Sequence, residues 1–286
     1  VVDYDDPDQV DVSLMVLGDS ISHGSTGDYT WRYRFWQHLH AAGVRVDFLG
    51  PKKTLDTVAT GTMGDEDFQY ADPAFDRDHA CQWGLTYLAV KHEVQELVET
   101  YRPDYLLVLL GINDIVWYGV EAAAFEANLR EFIAGVRAAR PDCRLVVGTI
   151  LDTAKAHEDV EFCRRVFQCN EAVRNVCAEL SSDSSPIAVA DSAREFFAPD
   201  HTWDGVHPNA GGELRVAAAF ADMLALRFGV GRAFDRPLPA VTEVDSQLKR
   251  EARAAIHLSA PLGGIYRQRG PRSEETASPE PAAPDE

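Results

Sequence analysis

The amino-acid sequence predicts an α/β sandwich, a parallel sheet with helices on both faces, on three observations. Short apolar runs rich in Val, Leu and Ile recur at Val12–Leu17, Tyr105–Leu110, Leu145–Ile150 and Ile187–Ala190, with a less apolar fifth at Val44–Leu49. Each run is bounded by Gly, Pro or Asp, as strands buried on both faces are. Longer stretches of helical periodicity lie between them, and strands alternating with helices build a parallel sheet covered on both sides.

Taken in order, Val12–Leu17 leads into Gly18 and a polar, Gly-containing loop, Ile21-Ser22-His23-Gly24-Ser25. Helical patterns follow at Trp31–Ala41, Leu85–Tyr101, Ala122–Ala139, Val160–Leu180 and Ala210–Phe228. Pro103, Pro141 and Pro186 each stand just ahead of a proposed strand, where a helix must already have ended. Beyond Phe228 the composition changes. Pro237, Pro239, Pro261 and Pro271 interrupt it, a helix is expected over Thr242–His257, and Ser273–Glu286 is a Pro, Ala, Ser and Glu tail of the kind that stays disordered. The expected organisation is a catalytic domain over about residues 10–230, an extension of unknown role over 231–272 and the acidic tail over 273–286.

The formal charge of −19 argues against nucleic acid and anionic membrane surfaces as partners. No apolar run reaches the roughly 18 residues of a membrane span. The sequence starts at Val1, which leaves a signal peptide open: cleaved, trimmed or never present. Five cysteines (Cys81, Cys143, Cys163, Cys169, Cys177) show no C-x-x-C and no paired His spacing, so a zinc site is not expected, while one or two disulfides are allowed.

Four short blocks carry the chemistry. Ser20 follows the first strand, at the carboxyl end where open α/β sheets bind ligands. Asn113 ends Leu109-Leu110-Gly111-Ile112-Asn113 at the same edge, and its amide can donate to a developing oxyanion. Gly84, with the backbone N–H of Ser20, offers two more donors, and Asp114 is expected to hold the loop. In Asp204-Gly205-Val206-His207-Pro208 the spacing lets Asp204 reach Nδ1 of His207, leaving Nε2 to take the Ser20 proton. Each block alone is an ordinary turn or helix cap. In this order they form the part list for ester cleavage through an acyl-serine.

The blocks resemble those of the SGNH hydrolases, also called the GDSL esterase/lipase family, named for Ser, Gly, Asn and His; here these are Ser20, Gly84, Asn113 and His207, with Asp204 as the triad acid. The resemblance covers about residues 12–215 and implies a flavodoxin-like three-layer α/β/α sandwich around a mostly parallel five-stranded sheet. Gly18-Asp19-Ser20-Ile21, Trp31-Arg32-Tyr33-Arg34, Val46-Asp47-Phe48-Leu49-Gly50 and Asp76-Arg77-Asp78-His79 resemble carbohydrate esterase family three, whose members remove acetyl groups from xylan and related sugars. The segment Ala80-Cys81-Gln82-Trp83-Gly84 departs from that branch, which carries small and His residues there. The resemblance implies a secreted protein, with a cytoplasmic one as the alternative.

Trp83, Trp117 and Trp203 each abut one of the blocks and are expected to wall the acyl or alcohol pocket. The expected activity is hydrolysis of short-chain, acetyl-type esters, with carbohydrate esters among the candidate substrates, and with no metal and no organic cofactor. Because the base must be neutral, activity should rise through about pH 6–7. The alternatives are an acyltransferase or thioesterase using the same acyl-serine, and a carbohydrate-binding module without catalysis.

Overall fold

The computed structural model describes residues 11–25, 28–56, 65–66 and 74–241. In chain order the elements are β1 (Val12–Gly18), α1 (Ser20–His23), α2 (Thr30–Ala41), β2 (Val46–Leu49), β3 (Leu55–Asp56), β4 (Asp65–Glu66), α3 (Tyr87–Val90), α4 (Val94–Tyr101) and β5 (Tyr105–Leu109). They continue with α5 (Ile112–Tyr118), α6 (Ala122–Ala139), β6 (Arg144–Gly148), α7 (Ala154–Glu158), α8 (Val160–Leu180), β7 (Ile187–Ala190), α9 (Ala198–His201) and α10 (Ala210–Phe228). The expected helix at Thr242–His257 and the acidic tail lie outside the described residues.

The central sheet has the order β2-β1-β5-β6-β7 with every pairing parallel, and β3 and β4 form a separate two-stranded ribbon. β1 and β5 are central because they are apolar on both faces: Leu14 to Leu17 and Leu106 to Leu109 are buried in full or nearly so. Helices α2 and α10 cover one face, and α4, α6 and α8 the other. This is the expected three-layer sandwich. Its strand order is the doubly wound one whose ligand crevice opens at the carboxyl end of the first strand, where the chain winds first to one side and then to the other.

α2 presents Trp31, Phe35 and Leu39 to the core at the four-residue helical step, and Trp31 stacks on Phe220 of α10 at 4.7 Å. Between the same two helices lies a buried ion pair: Arg34 Nε donates to Glu213 Oε2 at 2.8 Å, with both side chains about 95% covered (5% and 4% exposed). The other carboxylate oxygen of Glu213 accepts the N–H of Thr30 at 3.3 Å. Thr30 has φ +68°, a strained backbone for a β-branched residue that persists only where its surroundings over-determine it.

Where β2 leaves the sheet, the chain before Gly84 takes its place beside β1. The N–H groups of Ala80 and Gln82 donate to the carbonyls of Val16 and Gly18 at 2.8 and 2.9 Å. Reaching that position requires Gly50 to pass His79 closely, and a Cβ at Gly50 would lie 2.2 Å from the His79 carbonyl carbon.

Three local expectations are corrected. The loop after Ser20 is a single helical turn, α1, because the Asp19 carboxylate caps it by accepting Ile21 N–H at 3.0 Å. The segment after Gly111 is a two-turn helix, α5, rather than a loop. Leu85–Tyr101 is two helices: Thr86 caps α3, and turns at Lys91, His92 and Glu93 separate it from α4. The disulfide question also resolves, since all five cysteines are free, four of them buried and Cys163 exposed.

Glu213→Ala is expected to lower unfolding stability in denaturant titration by about 3–5 kcal/mol, because it removes the carboxylate that faces the buried, charged Arg34 guanidinium. An exposed pair such as Arg164–Glu161 should cost less than about 1 kcal/mol.

Candidate active site

Three loops meet at the carboxyl edge of the sheet. Ser20 occupies the first turn of α1, directly after β1 and beside β5 in the register Gly18↔Leu109. Asn113 sits in the first turn of α5, directly after β5. His207 arrives from the far end of the chain on the loop between α9 and α10.

This last loop is closed by its own hydrogen bonds. Trp203 N–H donates to His207 O at 3.0 Å and Asn209 N–H to His201 O at 2.9 Å. The Asn209 side chain caps α10 at Gly212 N–H and also donates to Asp200 and Thr202 carbonyls. Asp204 divides its two oxygens. Oδ1 accepts the backbone N–H of Val206 and of His207 at 2.9 and 2.7 Å, while Oδ2 meets His207 Nδ1 at 2.7 Å. With Nδ1 donating to that carboxylate, Nε2 is an acceptor, and it lies 2.9 Å from Ser20 Oγ. The structure therefore joins Ser20, His207 and Asp204 in one unbroken chain. Ser20 and His207 are 7% and 5% exposed, buried enough for the chain to be partly shielded from water yet open at the serine.

Electrostatics follow from burial. Burial works against a charged His207 ring, but the Asp204 carboxylate, through charge and hydrogen bond, with Asp19 and Asp28 farther off, raises its pKa above 6.5. Asp204 is likewise penalised by burial, and His207 with the loop N–H groups holds its pKa below 3.8. Two other carboxyls behave in the opposite way. Burial pushes Asp19 up to about 7 and Asp114 up to about 6.

Asp114 is structural, but it lies within α5 rather than in a loop: it accepts the N–H groups of Tyr87 and Leu88 at 3.0 and 3.1 Å and so fixes the first turn of α3 against α5. Asn113 Nδ2 donates to Leu85 O at 3.1 Å, which sets its amide next to Gly84. Gly84 has φ +76°, is exposed, and among the described residues neither its N–H nor that of Ser20 has an acceptor. The Ser20 N–H belongs to the first turn of a helix, where donors have no internal partner. These are groups that can receive an oxyanion.

Each of the three tryptophans touches one of these residues. Trp117 Nε1 donates to Asn113 Oδ1 at 2.9 Å and fixes which way the amide points. Trp83 and Trp203 lie nearly parallel to the His207 ring, at 4.9 Å and 26° and at 5.6 Å and 23°. Trp83 Nε1 also donates to Gly24 O, the residue that ends α1, at 2.8 Å.

Beneath the serine is a buried support of which sequence reasoning missed Arg32, while His23, His79 and His201 were expected to border the site. Arg32, fully buried, donates to the carbonyls of Ser22, His23 and Arg77. His23 and His79 both lie against Thr54 O, at 3.1 and 2.9 Å, and His79 Nδ1 accepts Cys81 N–H. Burial pushes His23 down to about 3 and His79 well below 6.5, so both rings are neutral. His201 Nδ1 accepts Phe197 N–H within its own turn. Burial pushes the Cys81 thiol up to about 12, which disqualifies it as a rival nucleophile. Among the described residues there is no group of acidic, His and Cys side chains able to hold a metal ion, and no helix long and apolar enough to cross a membrane.

The profile of the GDSL-like lipase/acylhydrolase family matches residues 16–214, which include every residue of this site. The chain belongs to that family. Membership places it among the serine hydrolases of ester bonds. Its sequence is 25% identical over 241 residues to a multidomain esterase of Ruminococcus flavefaciens, covering 79% of this chain but only 30% of that protein's length. In structure it is similar to a family 3 carbohydrate esterase from Talaromyces cellulolyticus, with TM-score 0.63, 26% identity, 74% of this chain and 96% of that one. It shares its fold with a family 3 carbohydrate esterase of Clostridium thermocellum, at TM-score 0.61 and 19% identity over 77% of this chain and 99% of that one.

Titration of the His207 ring of this GDSL-like domain by proton NMR is expected to give a pKa above 6.5, and Asp204→Asn is expected to lower it by removing the facing charge. A His207 pKa at or below 6.5 in the unmutated protein would contradict the electrostatics described.

Proposed function

We propose that this domain hydrolyses acetyl esters of carbohydrates through an acyl-Ser20 intermediate. The observation that carries the reading is the Ser20–His207–Asp204 hydrogen-bond chain at the carboxyl edge of the sheet. The sugar alcohol is favoured by the likeness to the Talaromyces family 3 carbohydrate esterase.

His207 Nε2 takes the Ser20 proton as Oγ attacks the ester carbonyl, and Asp204 stabilises the imidazolium that results. The oxyanion is received by the N–H groups of Ser20 and Gly84 and by Asn113 Nδ2. Collapse of the tetrahedral species expels the alcohol, which leaves with the proton from His207. A water then gives its proton to His207 and attacks the acyl carbon, and the second collapse returns the proton to Ser20 Oγ and releases acetate. Trp117 keeps the amide of Asn113 turned so that Nδ2, not Oδ1, faces the oxyanion.

The test measures acetate release from acetylated xylo-oligosaccharides beside a series of p-nitrophenyl esters of increasing chain length. Acetyl esters are expected to be preferred over long acyl chains. Ser20→Ala should leave only background hydrolysis, and Asn113→Ala should lower kcat by about 10²–10³. Wild-type turnover by a folded Ser20→Ala protein would overturn the mechanism.

The pH profile has a definite sign. Protonated His207 cannot accept the serine proton, so kcat/KM rises with pH through the His207 pKa, which places the limb above 6.5 rather than spread over the 6–7 range of an ordinary imidazole. A rate flat across the neutral range would argue against this base.

A further inference from the structure

Trp83 is tied to three parts of the site, two through its indole and one through its backbone. Its indole N–H is bonded to Gly24 O at 2.8 Å, and Gly24 N–H in turn donates to Ser20 O at 2.9 Å, so the ring is anchored to the turn that carries the nucleophile. Its chain neighbour is Gly84. Its face lies against the His207 ring at 4.9 Å and 26°, in the offset-stacked range and within the distance at which a cation is drawn to an aromatic face. Trp203, from the loop that carries His207, adds a second near-parallel indole at 5.6 Å.

We propose that Trp83 is a positioning residue for the catalytic base, its indole face holding the His207 ring in line with Ser20 and favouring the imidazolium that forms as the serine is deprotonated. This rests on the esterase reading above, and it differs from the expectation that Trp83 walls a substrate pocket. A sugar platform would be indifferent to the charge of His207, whereas a stacked indole is not: the π face attracts the protonated ring more than the neutral one.

Besides Trp203, the groups acting on that ring include Asp204 on its own loop, hydrogen-bonded to Nδ1, Ser20 at Nε2, Asp19 at the cap of α1, and Asp28 ahead of α2. The three carboxyls also favour the imidazolium, so the indole adds to their effect and removing it leaves them in place. The bond to Gly24 separates two parts of the role. Trp83→Phe keeps an aromatic face and loses the N–H, while Trp83→Leu loses both and keeps apolar cover over the ring.

The deciding measurement is the His207 ring titration by proton NMR, with the resonance assigned by its loss in His207→Gln, together with kcat and KM on p-nitrophenyl acetate and on an acetylated xylo-oligosaccharide. Trp83→Leu is expected to lower the His207 pKa by about 0.4–1.5 units and kcat by about three- to thirty-fold on both substrates alike, with Trp83→Phe recovering most of the pKa. An unmoved His207 pKa in a folded Trp83→Leu protein, with a raised KM confined to the sugar substrate, would overturn the proposal and return Trp83 to the pocket wall. The titration needs no substrate. It therefore judges the stack even if Ser20→Ala proves the esterase reading wrong.

Discussion

The site depends on one hydrogen bond between groups 187 positions apart, Ser20 Oγ to His207 Nε2 at 2.9 Å. Nothing local in sequence brings them together. The serine is fixed by β1, the inner strand from which the winding starts, and the histidine by the entry to α10, so their separation is set by how α10 packs over the sheet against α2. Trp31 on Phe220 fills that interface, and Arg34 with Glu213 pins it at a defined angular position, since a buried ion pair tolerates little displacement once desolvated. Glu213 also takes the N–H of Thr30, so a single carboxylate ties the return from the serine turn to the helix that follows the base.

Much of this is legible in the amino-acid sequence. Four of the five sheet strands announce themselves because a strand buried on both faces must be apolar, and β1, β5, β6 and β7 are built mostly from Val, Leu, Ile, Met and Ala. Ser20 and Asn113 could be placed at one edge because loops following parallel strands all emerge on the same side, whereas the Asp204–His207 loop lies between α9 and α10 and was legible through its own Asp-x-x-His spacing.

The rest escaped for identifiable reasons. α1 is one turn long and α5 two, too short for a 3.6-residue period to register, and what starts α1 is a carboxylate capping its first turn. Arg32, Arg34 and Glu213 look like the polar face of a helix in a linear reading, because charge is an exposure signal until its partner is known, and the partners are distant. The Trp117–Asn113 contact is a four-residue helical step that would have been readable had α5 been recognised. The stacking of Trp83 on His207 joins segments more than a hundred residues apart and has no one-dimensional signature. The buried carboxyls Asp19 and Asp114 show the same limit: their residue types were visible, their raised pKa values follow only from enclosure.

The division of labour within Asp204 has a consequence for how such a centre can change. One oxygen shapes the turn through Val206 and His207 N–H, the other orients the imidazole, and the loop closes on itself through Trp203, His201 and Asn209. Acid and base are thus prefabricated as a cassette whose internal geometry does not rely on the sheet. Drift elsewhere in the molecule is transmitted to the centre as movement of that cassette as a whole relative to the serine turn. Replacement of Asp204 by a longer acid could not preserve both tasks at once, because the carboxylate that reached the ring would no longer fit the turn that presents it.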